Sequence, residues 1–148
     1  MKFIFDNHFP PCLVRFLDEL RVNGDVQLGM IDDVECIVPL RERYKQPCAD
    51  QEWIDGLKSS AQYWVVISGD TMLWRNPAQR RGLIESGLTF VILNKEFGSL
   101  DQYEKSAKVL QIWKDLLNAV RNRPPGSIFI VSREWKLTQC HNPQVIAA

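Results

Sequence analysis

Apolar runs alternate with amphipathic segments along most of the chain, and this alternation predicts strands joined by helices. Five short apolar stretches predict strands, at residues 2–6, 34–40, 63–68, 88–93 and 128–131. Apolar residues that recur every three or four positions predict helices over 10–22, from 50 to about 61, over 77–86 and from about 100 to 121. Strands joined by helices of this length run parallel with right-handed crossovers. The pattern therefore predicts an α/β fold: a three-layer α/β/α sandwich with a mainly parallel central sheet of about five strands.

Local signals predict where the longest helix begins and which face it buries. Ser99-Leu100-Asp101-Gln102 has the form of a capping box, which would start this helix. Its buried face is predicted from one periodic set, Leu100, Tyr103, Ala107, Leu110, Trp113, Leu117 and Val120. Loops are predicted for residues 25–33 and 41–49, and the tail from residue 133 is expected to be irregular apart from Trp135.

Length and composition narrow the class of protein. A chain of 148 residues is long enough for one domain with a real core, so residues 1–148 are interpreted as a single domain. Lys and Arg total 18, as do Asp and Glu, so polyanion binding would have to come from local patches. Met1 leads straight into a strand and the four cysteines form no C-x-x-C pair, which favours reduced thiols in a cytoplasmic protein. No apolar run is long enough to span a membrane.

Three aspartates lie where predicted elements begin or end. Asp6 closes the first strand, Asp70 follows the third strand, and Asp50 opens the helix before that strand. The carboxyl ends of parallel strands share one edge of a sheet, and a helix that returns antiparallel to them begins at the same edge. Carboxylates gathered there repel one another unless a cation neutralises them, and Mg²⁺ or Mn²⁺ favours such oxygen ligands. The pattern predicts a metal site that could activate water and stabilise charge on a phosphodiester.

Each acid also has a purely structural interpretation. Asp50 could be a helix N-cap, Asp70 a turn residue after a glycine, and Asp6 a cap or an Asx turn. For any one acid alone the structural interpretation is favoured, and only their joint placement at one edge favours the metal site. Glu52 is close enough to Asp50 to act as a further acid or a supporting group, whereas Asp55 should be turned away and solvated.

Basic residues cluster in two loops that leave the same edge. They are Arg41, Arg43 and Lys45 after the second strand, and Arg75, Arg80 and Arg81 after Asp70. An acidic metal centre flanked by arginines suits a phosphate-backbone substrate, although a solvated charged surface is the commoner meaning of such residues. Tyr44 and Trp74 lie in these loops and could stack on bases or be partly buried anchors.

Other chemistries find less support in the sequence. His8 with Cys48 or Cys12 matches no zinc spacing. No glycine-rich phosphate loop is present, which disfavours an NTPase or a dinucleotide enzyme. Ser68 lacks the context of a nucleophile elbow, so a hydrolase triad is not predicted.

Three motifs together resemble the PIN-like proteins, and most closely the VapC-type toxin ribonucleases of bacterial toxin–antitoxin systems. They are F-I-F-D-N-x-x-P-P near the N-terminus, D-Q-E-W-I at residues 50–54 and V-V-I-S-G-D at residues 65–70. The resemblance covers roughly the first 95 residues. The D-x-E-W-I and S-G-D motifs in this order are its more specific part.

The resemblance implies an endoribonuclease that depends on Mg²⁺ or Mn²⁺, is neutralised by a cognate antitoxin protein and is often a homodimer. By motif position, Asp6, Asp50 and Asp70 would be the catalytic, metal-binding acids, with Asn7 as a supporting polar group. Glu52 and Thr71 are further candidates for support, and the six basic residues named above are the candidates for RNA binding. Many PIN nucleases carry a fourth acid shortly after the third, but here Asp70 is followed by Thr-Met-Leu-Trp-Arg. The alternative is a non-catalytic PIN-like module that binds a protein or an RNA.

Overall fold

The computed structural model describes residues 1–23 and 33–144, and most of its elements are the predicted ones. Strands lie at Lys2–Phe5 (β1), Cys36–Pro39 (β2), Trp64–Ser68 (β3), Thr89–Ile92 (β4), Ile128–Val131 (β5) and Leu137–His141 (β6). Helices lie at Pro11–Val22 (α1), Leu40–Arg43 (α2), Asp50–Ser59 (α3), Met72–Arg75 (α4), Pro77–Ser86 (α5) and Gln102–Arg121 (α6). A 3₁₀ turn at Lys95–Ser99 precedes α6. The loop predicted at 25–33 falls outside the described residues except for Asp33.

The described strands form one sheet with the order β2-β1-β3-β4-β5-β6. The pairs from β2 through β5 are parallel, and β6 runs antiparallel to β5. The chain leaves β1 for β2 on one side and returns to β3 on the other. The sheet therefore has a topological switch point between β1 and β3, and open α/β sheets bind ligands at the carboxyl side of such a point.

Helices cover both faces of the sheet, which confirms the α/β/α sandwich. Successive side chains of a strand point to opposite faces. Phe3 and Phe5 pack with α1 and α6, whereas Ile4 between them packs with α3 and α5. Both phenylalanines lie against Trp113 of α6, at ring-centroid distances of 5.2 and 6.0 Å. Burial of each such side chain stabilises the fold by about 1.5–3 kcal/mol.

Two short α-helices, the 3₁₀ turn and one strand were not predicted. The segment 41–49, expected to be a loop, begins inside α2, and α4 forms directly after Asp70. The tail expected to be irregular contains β6, whose residues are half-buried or exposed because this edge strand has a single neighbour. The prediction of an irregular tail is therefore wrong for residues 137–141.

The start and the buried face of the long helix differ from the prediction. Asp101, not Ser99, is the N-cap, and its capping box is closed by Glu104. The buried residues of α6 are Val109, Ile112, Trp113, Leu116, Leu117 and Val120. Tyr103 is 83% exposed, so its predicted burial is wrong.

Two further sequence expectations can be compared with the described residues. All four cysteines are free thiols, with Cys12 exposed and the other three half-buried. Across residues 1–23 and 33–144, no helix combines the length and the apolar character needed to cross a membrane.

Candidate active site

The side chains of Asp6, Asp50 and Asp70 line one cleft of about 90 Å³ at the carboxyl edge of the sheet. Asp6 directly follows β1, Asp70 lies two residues after β3, and these two strands are paired. Asp50 is the first residue of α3, whose amino end faces the same edge. The three acids are thus brought together at the switch point between β1 and β3. The acid cleft, as we call it, is also lined by Asn7, His8, Leu40, Gln46, Cys48, Trp53 and Leu73.

Asp6 is held by donors on both carboxylate oxygens. Its Oδ1 accepts hydrogen bonds from the His8 backbone N–H at 2.9 Å and from His8 Nδ1 at 3.1 Å. Its Oδ2 accepts from the Ser68 hydroxyl and from the Gly69 N–H at 3.1 Å. Its side chain is only 10% exposed, so these hydrogen bonds replace water that the carboxylate loses on folding. Asp6 therefore has a fixed orientation before any ligand binds.

Ser68 connects two of the acids, a role that was not predicted from the sequence. Its hydroxyl donates to Asp6 and accepts a hydrogen bond from the Asp70 N–H at 3.0 Å. The residue is fully buried at the end of β3. The signal in the sequence was a polar residue at the end of an apolar strand. Pairing of β1 with β3 then places its hydroxyl beside Asp6.

Asp70 and Asp50 each use one carboxylate oxygen within the fold. Asp70 Oδ1 accepts from the Met72 N–H at 3.0 Å, which is the turn-residue geometry weighed for it above. Asp50 Oδ1 accepts from Trp53 Nε1 at 3.1 Å, and the N-cap of α3 is Ala49 rather than Asp50. The Oδ2 atoms of both aspartates accept no hydrogen bond from the described residues. Each acid therefore keeps one oxygen available to a ligand in the cleft.

His8 lines the acid cleft beside Asp6. Its hydrogen bond to Asp6 raises the pKa of the imidazole above its usual value. Burial opposes this shift, and the negative charges of Asp6 and Asp70 add to it. A β-carbon added at Gly69 would lie 2.6 Å from the His8 Cβ, so His8 packs directly on the glycine that follows β3.

The predicted supporting residues fall in three different places. Asn7 lines the acid cleft and donates from Nδ2 to Gln46 Oε1 at 3.0 Å. Glu52 is exposed and accepts a hydrogen bond from the Cys48 thiol, 3.4 Å away, outside the cleft lining. Thr71 lines a neighbouring groove instead of the acid cleft. Asp55 is exposed and accepts from Gln51, in line with the expectation that it is solvated.

A family model described as PIN like domain matches residues 1–95. This range contains all three acids and the first four strands. The chain belongs to the PIN-like domain family. No curated protein and no solved structure gives a significant match. Membership of the PIN-like family agrees with the observed sandwich and with a nuclease or RNA-binding role, and it does not specify a branch of the family.

The acid cleft of this PIN-like domain contains carboxylate oxygens, which are donors of the type that a divalent cation takes. Within residues 1–23 and 33–144, no three His, Cys, Asp or Glu side chains are grouped so as to hold a metal ion. Mg²⁺ keeps several waters in proteins and usually takes only one or two carboxylates directly. The available oxygens of Asp50 and Asp70, beside a pre-oriented Asp6, provide donors of that type. The donor chemistry therefore matches a cation that retains part of its water shell.

The basic residues after β2 are not all at the predicted edge. The Arg43 guanidinium carbon lies 4.7 Å from the ring centroid of Trp64, which opens β3. Trp64 is about 13 Å along the strand from Ser68 at the spacing of an extended chain. Arg43 therefore lies against Trp64 and does not line the acid cleft, and the segment expected to be a loop begins as the helix α2. Arg41 and Lys45 are exposed.

Tyr44 and the basic residues after Asp70 divide between structural and solvent-facing positions. Tyr44 packs against α3, where a β-carbon at Gly56 would lie 2.6 Å from its hydroxyl oxygen, which supports the interpretation as an anchor. Arg80 covers Trp74 at 4.7 Å and donates from Nε to the Trp74 carbonyl at 2.6 Å. Arg75 lines the groove beside the cleft, and Arg81 is exposed.

Proposed function

We propose that this PIN-like protein is an endoribonuclease that depends on Mg²⁺ or Mn²⁺, and that it is the toxin of a toxin–antitoxin pair acting in the cytoplasm. The observation that carries the enzymatic part is the convergence of Asp6, Asp50 and Asp70 in one cleft. The three acids come from separate elements of the fold. Membership of the PIN-like family generally suggests a nuclease or RNA-binding function.

Asp6, Asp50 and Asp70 would hold the metal. When bound, such an ion activates water and neutralises charge that develops on a phosphodiester. Asp6 requires no reorientation on binding, because four donors already fix its carboxylate. Ser68 couples the position of Asp6 to the backbone at Asp70, so the two carboxylates keep their relative placement. Exposed cations at the same edge, Arg75 among them, would hold the phosphates on either side of the scissile bond.

Cleavage of RNA by the purified protein tests this proposal. We expect cleavage with Mg²⁺ or Mn²⁺, its loss in EDTA, and a loss of at least about 100-fold in Asp70→Asn, because the substitution removes charge from the cleft. Asp55→Asn is the matched control, since Asp55 is an exposed acid of α3 outside the cleft, and it should cleave like the wild type. Equal cleavage by the wild type and Asp70→Asn, or cleavage that persists in EDTA, would contradict the proposal.

A second candidate is a non-catalytic PIN-like module that binds RNA or a protein. It is favoured by the absence of an acid in Thr-Met-Leu-Trp-Arg after Asp70 and by the absence of a preformed three-ligand metal group in the described ranges. Such a module would bind RNA equally well in EDTA and in Mg²⁺ and would never shorten it. The cleavage assay therefore separates the two candidates.

The assignment as a toxin rests on the resemblance to VapC-type ribonucleases. It predicts that expression of the chain stops growth of a bacterial host, and that a small protein encoded beside it restores growth and co-purifies with it. Light scattering on the purified chain would show whether it forms the homodimer common in that group. If the protein cleaves RNA in vitro but its expression does not affect growth, the toxin assignment would be wrong. The proposal that the protein is a nuclease would still stand.

A further inference from the structure

A groove of about 520 Å³ lies beside the acid cleft, at the carboxyl ends of β4 and β5. The two cavities are neighbours: Asp70 lines the acid cleft, and the next residue, Thr71, lines the groove. The groove is several times larger than the cleft. A substrate strand whose phosphate lies at the acids would therefore pass its next nucleotide into the groove.

The groove is lined by one aromatic ring and by aliphatic side chains. The ring is that of Trp74, and it is held in place by Arg80, which contacts both the indole and the Trp74 carbonyl. Ile92 and Ile130, from the ends of β4 and β5, are among the aliphatic lining residues. An aromatic ring held in place in this way is suited to stack on a planar ligand such as a nucleobase.

Two polar side chains that line the groove, Asn94 and Ser132, are already engaged within the fold. Asn94 donates from Nδ2 to the Ser132 carbonyl at 2.8 Å and accepts from the Phe97 N–H at 2.9 Å. The Ser132 hydroxyl accepts from the Lys136 N–H at 3.2 Å. With these groups occupied, the groove interior offers mainly stacking and apolar contact, which suits a base of any sequence.

The rim of the groove carries an excess of positive charge. Glu96 is neutralised by Arg133, with Nε and Oε1 2.8 Å apart. Arg75 and Lys95 also line the groove, are exposed, and form no ion pair with the described residues. A ligand that complements this surface has a flat apolar ring and an anionic group, which is the chemistry of a nucleotide.

We propose that the groove binds one unpaired nucleotide of the RNA strand, next to the phosphodiester held at the acid cleft. Trp74 stacks on its base, and Arg75 and Lys95 bind the adjoining phosphates. The inference rests on the proposed function for the identity of the strand. It adds which residues of this chain would bind the nucleotide beside the scissile phosphodiester. That nucleotide must be unpaired, since a base paired in a duplex cannot turn its face to Trp74.

Binding of labelled RNA in EDTA tests the inference without cleavage. The probes are a single-stranded RNA octamer, an octamer of the same length without bases, and a blunt duplex, all followed by fluorescence anisotropy. The wild type should bind the octamer more tightly than the other two. Trp74→Ala should weaken binding of the octamer about tenfold and leave the octamer without bases unchanged, because only the stacking contact is removed. Trp74→Phe should recover most of the loss and guards against misfolding of the alanine variant.

The double variant Arg75→Ala/Lys95→Ala should weaken binding of both the octamer and the octamer without bases. Removal of two phosphate contacts should make the negative slope of log affinity against log salt less steep by about 1.4, at about 0.7 per contact for single strands. Lys58→Ala/Lys114→Ala removes two exposed lysines outside the groove lining and is the control, with no expected change in slope.

Several results would overturn the inference. They are binding of the octamer no tighter than that of the base-free strand or the duplex, a Trp74→Ala affinity equal to that of the wild type, or an equal loss of slope in the control pair. Full displacement of the octamer by a free nucleoside monophosphate at equal affinity would also overturn it, because the groove would then be a site for a free nucleotide. Cleavage assays on the same preparations distinguish failure of the groove from failure of the nuclease proposal.

Discussion

At the scale of single residues, Ser68 determines how the acid cleft is built. Its hydroxyl can donate only one hydrogen bond, and it donates that bond to Asp6 while it accepts from the Asp70 N–H. The sequence was sufficient to predict that Asp6 and Asp70 share an edge, because each follows an apolar strand. It was not sufficient to predict the link through Ser68, because this depends on the register in which β1 and β3 pair, which no local pattern encodes.

We expect Ser68→Ala to lower the free energy of unfolding by about 1–3 kcal/mol. The substitution removes one donor from a carboxylate that is nearly buried and leaves the Asp70 N–H without its acceptor. Urea denaturation at pH 7 without metal measures the change. Ser59→Ala is the control, since Ser59 donates to a backbone carbonyl on an exposed part of α3 and should cost much less. Equal stability of the two variants would mean that Ser68 does not hold the acids.

At the scale of elements, the long helix α6 shows how two overlapping signals compete. Both Ser99-Leu100-Asp101-Gln102 and Asp101-Gln102-Tyr103-Glu104 have the form of a capping box. The second one forms, because Ser99 belongs to the preceding 3₁₀ turn and its hydroxyl donates to the Glu96 carbonyl. The helical spacing of the apolar residues was predicted correctly, but only part of the predicted set is buried. Trp113, Leu117 and Val120 are buried, whereas Tyr103 is exposed. Which positions face the sheet depends on where α6 crosses it, and this is a tertiary property.

Substitution of the two competing caps should give different results. Asp101→Ala should lower the free energy of unfolding by about 1 kcal/mol, because the Glu104 N–H loses its acceptor at 2.8 Å. Ser99→Ala should have a much smaller effect, since Ser99 does not cap α6. Thermal or urea unfolding of both variants under one set of conditions makes the comparison. A larger loss in Ser99→Ala than in Asp101→Ala would contradict the observed start of the helix.

The end of α6 is tied to the segment before β2 by a pH-dependent ion pair. Arg121 donates to both carboxylate oxygens of Asp33, and these hydrogen bonds lower the pKa of Asp33 from its usual value. A lowered pKa in the folded state stabilises the fold above the unfolded pKa, and this stabilisation is lost as the pH falls through the folded value. Asp33→Asn should therefore be less stable than the wild type at pH 7.

The difference between Asp33→Asn and the wild type should begin to shrink as the pH falls below about 4, where the unfolded carboxyl group takes up a proton, and should be lost as the pH falls through the lower folded-state pKa. Urea midpoints measured at several pH values follow this change. Asp115→Asn, an exposed acid on the same helix, is the control and should give a smaller difference. A difference for Asp33→Asn that is constant from pH 7 to pH 3 would show that the charge of Asp33 does not contribute.

At the scale of the whole molecule, the order of strands places the acid cleft at the switch point of the sheet. A parallel sheet with returning helices puts Asp6, Asp50 and Asp70 at one edge in any doubly wound order, so this part followed from the sequence. The distribution of basic residues did not follow, because it depends on how each connection folds. α2 is helical and Arg43 stacks on Trp64 at the far end of β3, whereas Arg75 lines the groove beside the acids. The antiparallel β6 was also missed, since its mixed polarity is that of an edge strand.

Titration of Mn²⁺ into the purified protein tests the central claim, that the three aspartates jointly bind a divalent metal. Calorimetry should show binding to the wild type and to the Asp55→Asn control, and at least about tenfold weaker binding to Asp6→Asn, Asp50→Asn and Asp70→Asn. In EDTA, Asp70→Asn should melt at or above the wild-type temperature, because it relieves repulsion among the carboxylates. Mn²⁺ should raise the melting temperature of the wild type but not of Asp70→Asn. Unchanged Mn²⁺ affinity in Asp70→Asn, or a large drop of its melting temperature in EDTA, would contradict the account and make Asp70 a structural residue.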